Sequence, residues 1–258
     1  MRHNAWKLLL TLAALSTVSC EKMKQRQARE EALNELNATK QEFAEQLEMT
    51  DEGLNVDFDA IDEHKRKVEQ AADKMGGKVG EAMKVVTSMQ AEINRLSREC
   101  AEGAERFVET LDWQTLAADR DYEARRKQMR EYADLNTRTL AAYERYPKDV
   151  AGKLDQIGFT GKERSDFEAG FQRMQRKTVS LVRTIRQCDI ECATVGIGLM
   201  DRLEKLGDSW HWNADEERVE FTADEDLEWF QGEMDKFTQI ADKQIEAQAK
   251  FTEVLKAN

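Results

Sequence analysis

The chain has 258 residues, room for one large domain or two small ones, with 39 Lys and Arg against 51 Asp and Glu and a net charge of −12. A surface that acidic repels phosphate backbones, which argues against nucleic acid as a partner. One proline, 7% aromatic and 35% charged residues argue against a sheet-built protein and predict long solvated helices.

Residues 1–20 read MRHNAWKLLLTLAALSTVSC. Arg2 and Lys7 make a positive start, Leu8 to Leu15 a short apolar run, and Ser16, Thr17 and Ser19 a small-residue stretch before Cys20. The apolar run falls well short of the ~20 residues that span a bilayer, so residues 1–19 predict a signal peptide rather than a membrane helix. This pattern resembles the signal of bacterial lipoproteins, in which the cysteine becomes the first mature residue and carries the acyl chains. Thr17 stands where that family usually has Leu. The resemblance implies a thioether-linked diacylglycerol plus an N-acyl chain on Cys20; one chain binds a membrane marginally, whereas two or more hold firmly. In that family Asp after the cysteine favours inner-membrane retention, so Glu21 implies the outer membrane. Everything after Cys20 would then lie in the periplasm or outside the cell of a diderm bacterium. An ordinary secretory signal with a chance cysteine at its end is the competing reading.

From Cys20 to Asn258 no composition shift marks a boundary, so 20–258 reads as a single domain. Weak apolar stripes run from Met23 to Met49 and from Trp113 to Tyr146. Between them Ile61, Val68, Ala72, Met75, Val79, Ala82, Val86, Met89, Ile93, Leu96, Cys100, Gly103 and Phe107 follow each other at three- and four-residue steps, Lys65 filling the first gap. That rhythm is a coiled-coil seam and predicts one helix from Phe58 to Leu111, roughly 80 Å long. Gly76, Gly77 and Gly80 mark where it would bend. Pro147 predicts the end of the Trp113 stripe, or the opening of a short turn through Leu154.

A second seam runs through Phe167, Phe171, Met174, Thr178, Leu181, Ile185, Cys188, Cys192, Val195, Leu199 and Leu206. Thr160 with Glu163 forms a capping box at its start, and Gly207 suits its end. The third seam is Leu227, Phe230, Met234, Phe237, Ala241, Ile245, Phe251 and Leu255, led by a capping box of Thr222 and Glu225. Between these two seams the period changes to two. Trp210, His211, Trp212 and then Arg218 to Phe221 predict a β-hairpin near 209–221, with Trp210, Trp212, Val219 and Phe221 on one face. The expected fold is all-α: an elongated antiparallel, coiled-coil-like bundle of four to five long helices with one small hairpin. The mature part also resembles uncharacterised all-helical envelope lipoproteins, in which a Trp-rich segment and a V-x-F strand precede the last helix.

Cys100, Cys188 and Cys192 remain after Cys20, all on seam positions. Uniform helical rise along two antiparallel helices puts Cys100 level with about residue 185. A disulfide to Cys188, or one turn further to Cys192, would staple two helices by about 2–4 kcal/mol. Three small buried thiols filling a core is the equal alternative. Zinc at Cys188 and Cys192 would need two more ligands from a chain that otherwise offers His64, His211 and Cys100, so no metal is expected. Asn55 to Asp59 opens like a calcium loop, but Ala60 replaces the turn glycine and Arg66 the closing Glu. Helix-start acids explain it better.

Hydrolase and phosphate-loop signatures do not occur, and His64 and His211 are isolated; neither an enzyme nor a cofactor is expected. Arg173, Arg176, Lys177, Arg183 and Arg186 lie in a stretch, 169–188, without an acid. The band could meet anionic lipid headgroups, but acidic neighbouring helices are expected to neutralise it. Trp210 and Trp212 are expected to cover the end of a core rather than form an exposed tip. The leading expectation is a lipid-anchored, non-enzymatic scaffold or protein-interaction module, with the membrane as one partner and an envelope protein as the other. The alternative is a carrier of an apolar ligand or lipid. Its adaptable core would draw on Met23, Met49, Met75, Met83, Met89, Met174 and Met200, with a hinge at Gly76–Gly80.

Overall fold

The computed structural model describes residues 57–257 and, ahead of them, Gln27, 30–32, 34–36, 38, 39, 42, 48–50 and 53–55. The expectations for residues 1–26, including the signal peptide, Cys20 and Met23, lie outside the described residues. Strands β1 (Glu48–Thr50) and β2 (Gly53–Asn55) come first, then helices α1 (Phe58–Met75), α2 (Gly77–Glu109), α3 (Trp113–Asp119), α4 (Tyr122–Gln156) and α5 (Gly161–Leu206). A 3-10 turn (Gly207–Ser209) leads into β3 (Trp210–Asn213) and β4 (Arg218–Phe221), and α6 (Asp224–Ala257) follows. The fold class is all-α with a small β-hairpin insertion. The β1–β2 pair, in which Met49 faces Leu54, was not expected; strands of three residues are too short to show a period.

Asp57 starts α1, its Oδ1 accepting the N–H groups of Asp59 at 2.9 Å and Ala60 at 3.0 Å. Within the calcium-like run, Asp57 is therefore a helix cap. The expected single helix from Phe58 to Leu111 is two helices. Gly76 and Gly77 both sit at φ +59°, a left-handed pair that ends one helix and restarts the next. Gly80 allows the corner to close, because a Cβ there would lie 2.4 Å from the Ala72 carbonyl oxygen.

Pro147 neither ends α4 nor opens a new turn; the helix passes through it. Its neighbours on one face, Tyr146, Val150 and Leu154, are all buried, and the Tyr146 hydroxyl donates to the Val86 carbonyl at 3.1 Å. Packing on both sides of the proline holds the helix that the missing N–H would otherwise break. The Trp113 stripe is interrupted earlier, by Arg120 in the left-handed region at φ 56°. Helix α5 begins directly after Thr160 and ends at Gly207, φ +54°, as its flanking residues predict. Helix α6 opens with Asp224, Glu225 and Asp226, acids that complement its N-terminal dipole.

The described residues fall into two compact units, each assembled from separate stretches of chain, where the sequence reads as one domain. Unit one takes the described residues through Asn94, then Ala142–Val182 and those from Ala247 onward. Its core is apolar and rich in small residues: Ala32, Leu36, Ala71, Ala72, Ala82, Val150 and Leu154, closed by Phe159 and Phe167. Unit two takes Arg95–Ala141 and Arg183–Glu246. Its core joins Phe107, Leu116, Met129, Leu199, Met200 and Leu203 to the hairpin's Trp210 and Val219. Residues of α2, α4, α5 and α6 occur in both units.

The hairpin has the expected face. Trp210 pairs with Phe221 and Trp212 with Val219. Trp210 is fully buried, its indole N–H directed to the Leu203 carbonyl at 3.1 Å and the Tyr122 hydroxyl at 3.2 Å. The guanidinium of Arg120 lies 4.2 Å from the Trp210 ring and donates to the carbonyls of Gly207 at 3.1 Å and Trp210 at 3.0 Å. The aromatic face covers the end of a helical core, as expected for an indole with a buried partner for its N–H.

Candidate functional site

Unit two buries a layer of polar side chains drawn from α2, α4, α5 and α6. Asp189 on α5 is its centre and is almost fully buried. Its Oδ1 accepts the Tyr132 hydroxyl at 2.6 Å and the Gln244 side-chain amide at 2.8 Å. Arg186, one turn earlier on α5, holds Nη1 3.1 Å from Asp189 Oδ2. That oxygen is buried and receives no aligned hydrogen bond, so the contact is an ion pair without the geometry of a good donor. The same Nη1 donates to Asn136 Oδ1 at 2.8 Å, and Asn136 donates in turn to the Tyr132 carbonyl at 3.0 Å.

Cys100 borders this layer from α2, its Sγ 3.2 Å from the Thr139 hydroxyl, which itself donates to the Leu135 carbonyl at 2.8 Å. The Arg186 charge lies near enough to the Cys100 thiol to favour its ionised form. Cys100, Cys188 and Cys192 are free thiols in this structure, the first two buried and the third half-buried.

Burial sets the chemistry of these groups. It raises the Tyr132 phenol far above its ordinary range, reinforced by the Asp189 charge and by the hydrogen bond that the neutral phenol donates. It raises Cys100 as well, against the pull of Arg186, and raises Cys188. Cys192 is pushed up to about 12, first by burial and then by Asp189. At neutral pH all three thiols are protonated and poor nucleophiles. The layer holds one full ion pair, and its other members donate to or accept from that pair and one another. What it does best is lock four helical segments at one height.

Sequence reasoning found Cys100, Cys188 and Arg186 but missed Tyr132, Asn136, Asp189 and Gln244. A signal was present: Tyr132, Asn136 and Thr139 recur at steps of four and three on α4, a polar stripe where a seam would be apolar.

The remaining candidates are scattered. His64 is half-buried on α1 in unit one, and His211 is exposed on β3 with Nε2 3.3 Å from Glu220. Among the described residues no three of His, Cys, Asp and Glu gather as metal ligands would, and no helix is long and apolar enough to cross a membrane. Within the basic band, Arg186 pairs with Asp189 of its own helix rather than with a neighbouring one, and Arg183 is engaged. Arg173 donates only to the Ala169 carbonyl of its own helix at 3.2 Å, and Arg176 and Lys177 have no hydrogen-bond or ion-pair partner among the described residues. Compared with family models, curated proteins and solved structures, the chain matches none of them.

Proposed function

We propose that this protein is a lipid-anchored scaffold of a bacterial outer membrane, held by acyl chains on Cys20 and offering its helical faces to a protein partner in the envelope. The observation that carries this reading is how the buried polar groups of unit two are used. Asp189, Arg186, Tyr132, Asn136 and Gln244 bond to one another and to the backbone, so their chemistry is directed at packing. What faces outward is helix surface dense in charge, with ion pairs such as Arg145 to Glu92 at 2.8 Å and Lys67 to Glu42 at 2.6 Å. The sequence of residues 1–20 supports the anchor.

Metabolic labelling with a palmitate analogue tests the anchor: label is expected on the wild type and absent from Cys20→Ser. An unlabelled wild type removes it. Photoreactive side chains placed singly on the exposed faces of α4 and α6 test the scaffold in cells. A discrete adduct that recurs at neighbouring positions is expected, and no adduct at any position overturns the reading. Native mass spectrometry showing bound lipid in the purified protein would favour the carrier instead.

A further inference from the structure

We propose that the face of α5 formed by Arg173, Arg176 and Lys177 rests against the anionic headgroups of a membrane. Arg176 and Lys177 lie three and four residues after Arg173, so both share its face of the helix, and all three are exposed. All three belong to unit one. Several exposed cations of that unit meet acids: Lys67 pairs with Glu42, Lys74 with Glu35, Lys84 with Asp73 and Arg145 with Glu92. Lys148, Lys153 and Lys162 of the same unit are exposed without an ion pair too, but each stands apart from the others. What distinguishes this face is three such cations within two turns of one helix. Arg173 reaches only a carbonyl of its own helix, and Arg176 and Lys177 have no partner among the described residues.

The local chemistry fits a sheet of phosphates. Two guanidinium forks and one ammonium present donors suited to phosphate oxygens. The acidic character of the whole chain does not oppose this, because salt confines the interaction of exposed charges to about 8–10 Å. What a bilayer meets at that range is the face itself. Each Lys or Arg near an anionic surface strengthens binding by roughly fivefold, so three give about one hundred-fold. The choice of headgroups over free phosphate rests on the lipid-anchored reading: a chain tethered at a bilayer needs only a weak additional contact to fix which face lies against it.

The test uses the full chain with Cys20→Ser, so that no acyl chain contributes, and measures co-sedimentation with phosphatidylcholine vesicles with and without phosphatidylglycerol. The chain is expected to partition onto the anionic vesicles about one hundred-fold better than Arg173→Gln/Arg176→Gln/Lys177→Gln, and to release as salt is raised. Each single substitution should lose roughly fivefold, and Arg176→Lys should lose little. A triple variant that binds as well as its parent overturns the proposal, and so does equal binding to phosphatidylcholine alone. A control triple, Arg106→Gln/Arg138→Gln/Lys205→Gln, removes three exposed cations of unit two and should leave binding unchanged; an equal loss there reduces the effect to general charge. The palmitate result for Cys20 is independent of all these outcomes, so failure of the anchor and failure of this face are told apart.

Discussion

The cores of the two units are closed by different means. In unit one, Ala71, Ala72, Ala82 and Gly80 bring helix backbones close together, and the corner between α1 and α2 is turned by two successive left-handed glycines. In unit two, larger side chains such as Met129, Met200 and Trp210 fill the core, and a charged layer lies among them. An apolar seam tolerates sliding by a turn better than a charged layer does, because a slid Asp189 would lose Tyr132, Gln244 and Arg186 together. Unit one thus takes its register from shape, and unit two adds electrostatics to close approaches such as Gly196 on Met129. A buried ion pair adds little net stability compared with apolar residues of the same volume, but breaking it is expensive.

The largest expected effect follows from that asymmetry. Asp189→Ala leaves the half-buried Arg186 without its counter-charge and Tyr132 and Gln244 without their acceptor. The expected cost is about 3–5 kcal/mol, read from the midpoint of denaturant unfolding. Amide exchange should rise across 183–206 while the buried stretch of α1 around Ala71 and Ala72 keeps its protection. Equal exchange in both places would show that the two units do not differ in the way proposed.

The matching break in unit one is Gly80→Ala. A methyl group 2.4 Å from the Ala72 carbonyl oxygen cannot be accommodated by rotating a side chain, because the atom it meets is backbone. The helices must part, at an expected cost of about 1–3 kcal/mol. At Gly76→Ala nothing crowds the site, and the penalty is that of an L-residue at φ +59°, ψ −176°, a region essentially confined to glycine, about 1–3 kcal/mol. If Gly80→Ala unfolds at the wild-type midpoint, shape is not what sets the register of unit one.

The sequence made the shape-determined features easier to read than the electrostatic ones. Seam residues Val68, Ala72, Met75, Val79, Ala82, Ile93, Leu96 and Cys100 are all buried, because a core-facing stripe is a local periodicity that any single helix shows. The glycine corner was legible as a bend, though not as a complete break, since only the backbone angles of Gly76 and Gly77 separate the two. Pro147 misled because its cost is local, whereas the packing of Tyr146 and Val150 that offsets it is tertiary. The charged layer was the hardest to see. Asp189 and Gln244 are 55 positions apart, and nothing in either neighbourhood names the other.

The smallest expected effect belongs to His64, where α1 packs against the preceding segment of unit one. The ring is half-buried, it has a backbone hydrogen bond with Thr39, and Lys67, itself paired with Glu42, adds a like charge nearby. Burial is the leading cause that pulls the imidazole below its ordinary 6.5; Lys67 acts in the same direction and Thr39 against it. The unfolded chain therefore takes up the proton more readily than the folded one. Stability tied to this group is complete above pH 6.5 and is lost as the pH falls through the lowered value. Carboxylates in the same unit, such as Glu63 beside Arg66, are lowered too and act at more acidic pH, so the wild type alone cannot isolate the histidine. The informative quantity is the difference between wild type and His64→Gln in thermal midpoint, followed from about pH 8 to about pH 5. The wild type should lose more on acidification, with the gap opening below pH 6.5. Two curves that stay parallel would place the ring in solvent and remove the preceding segment as its cover.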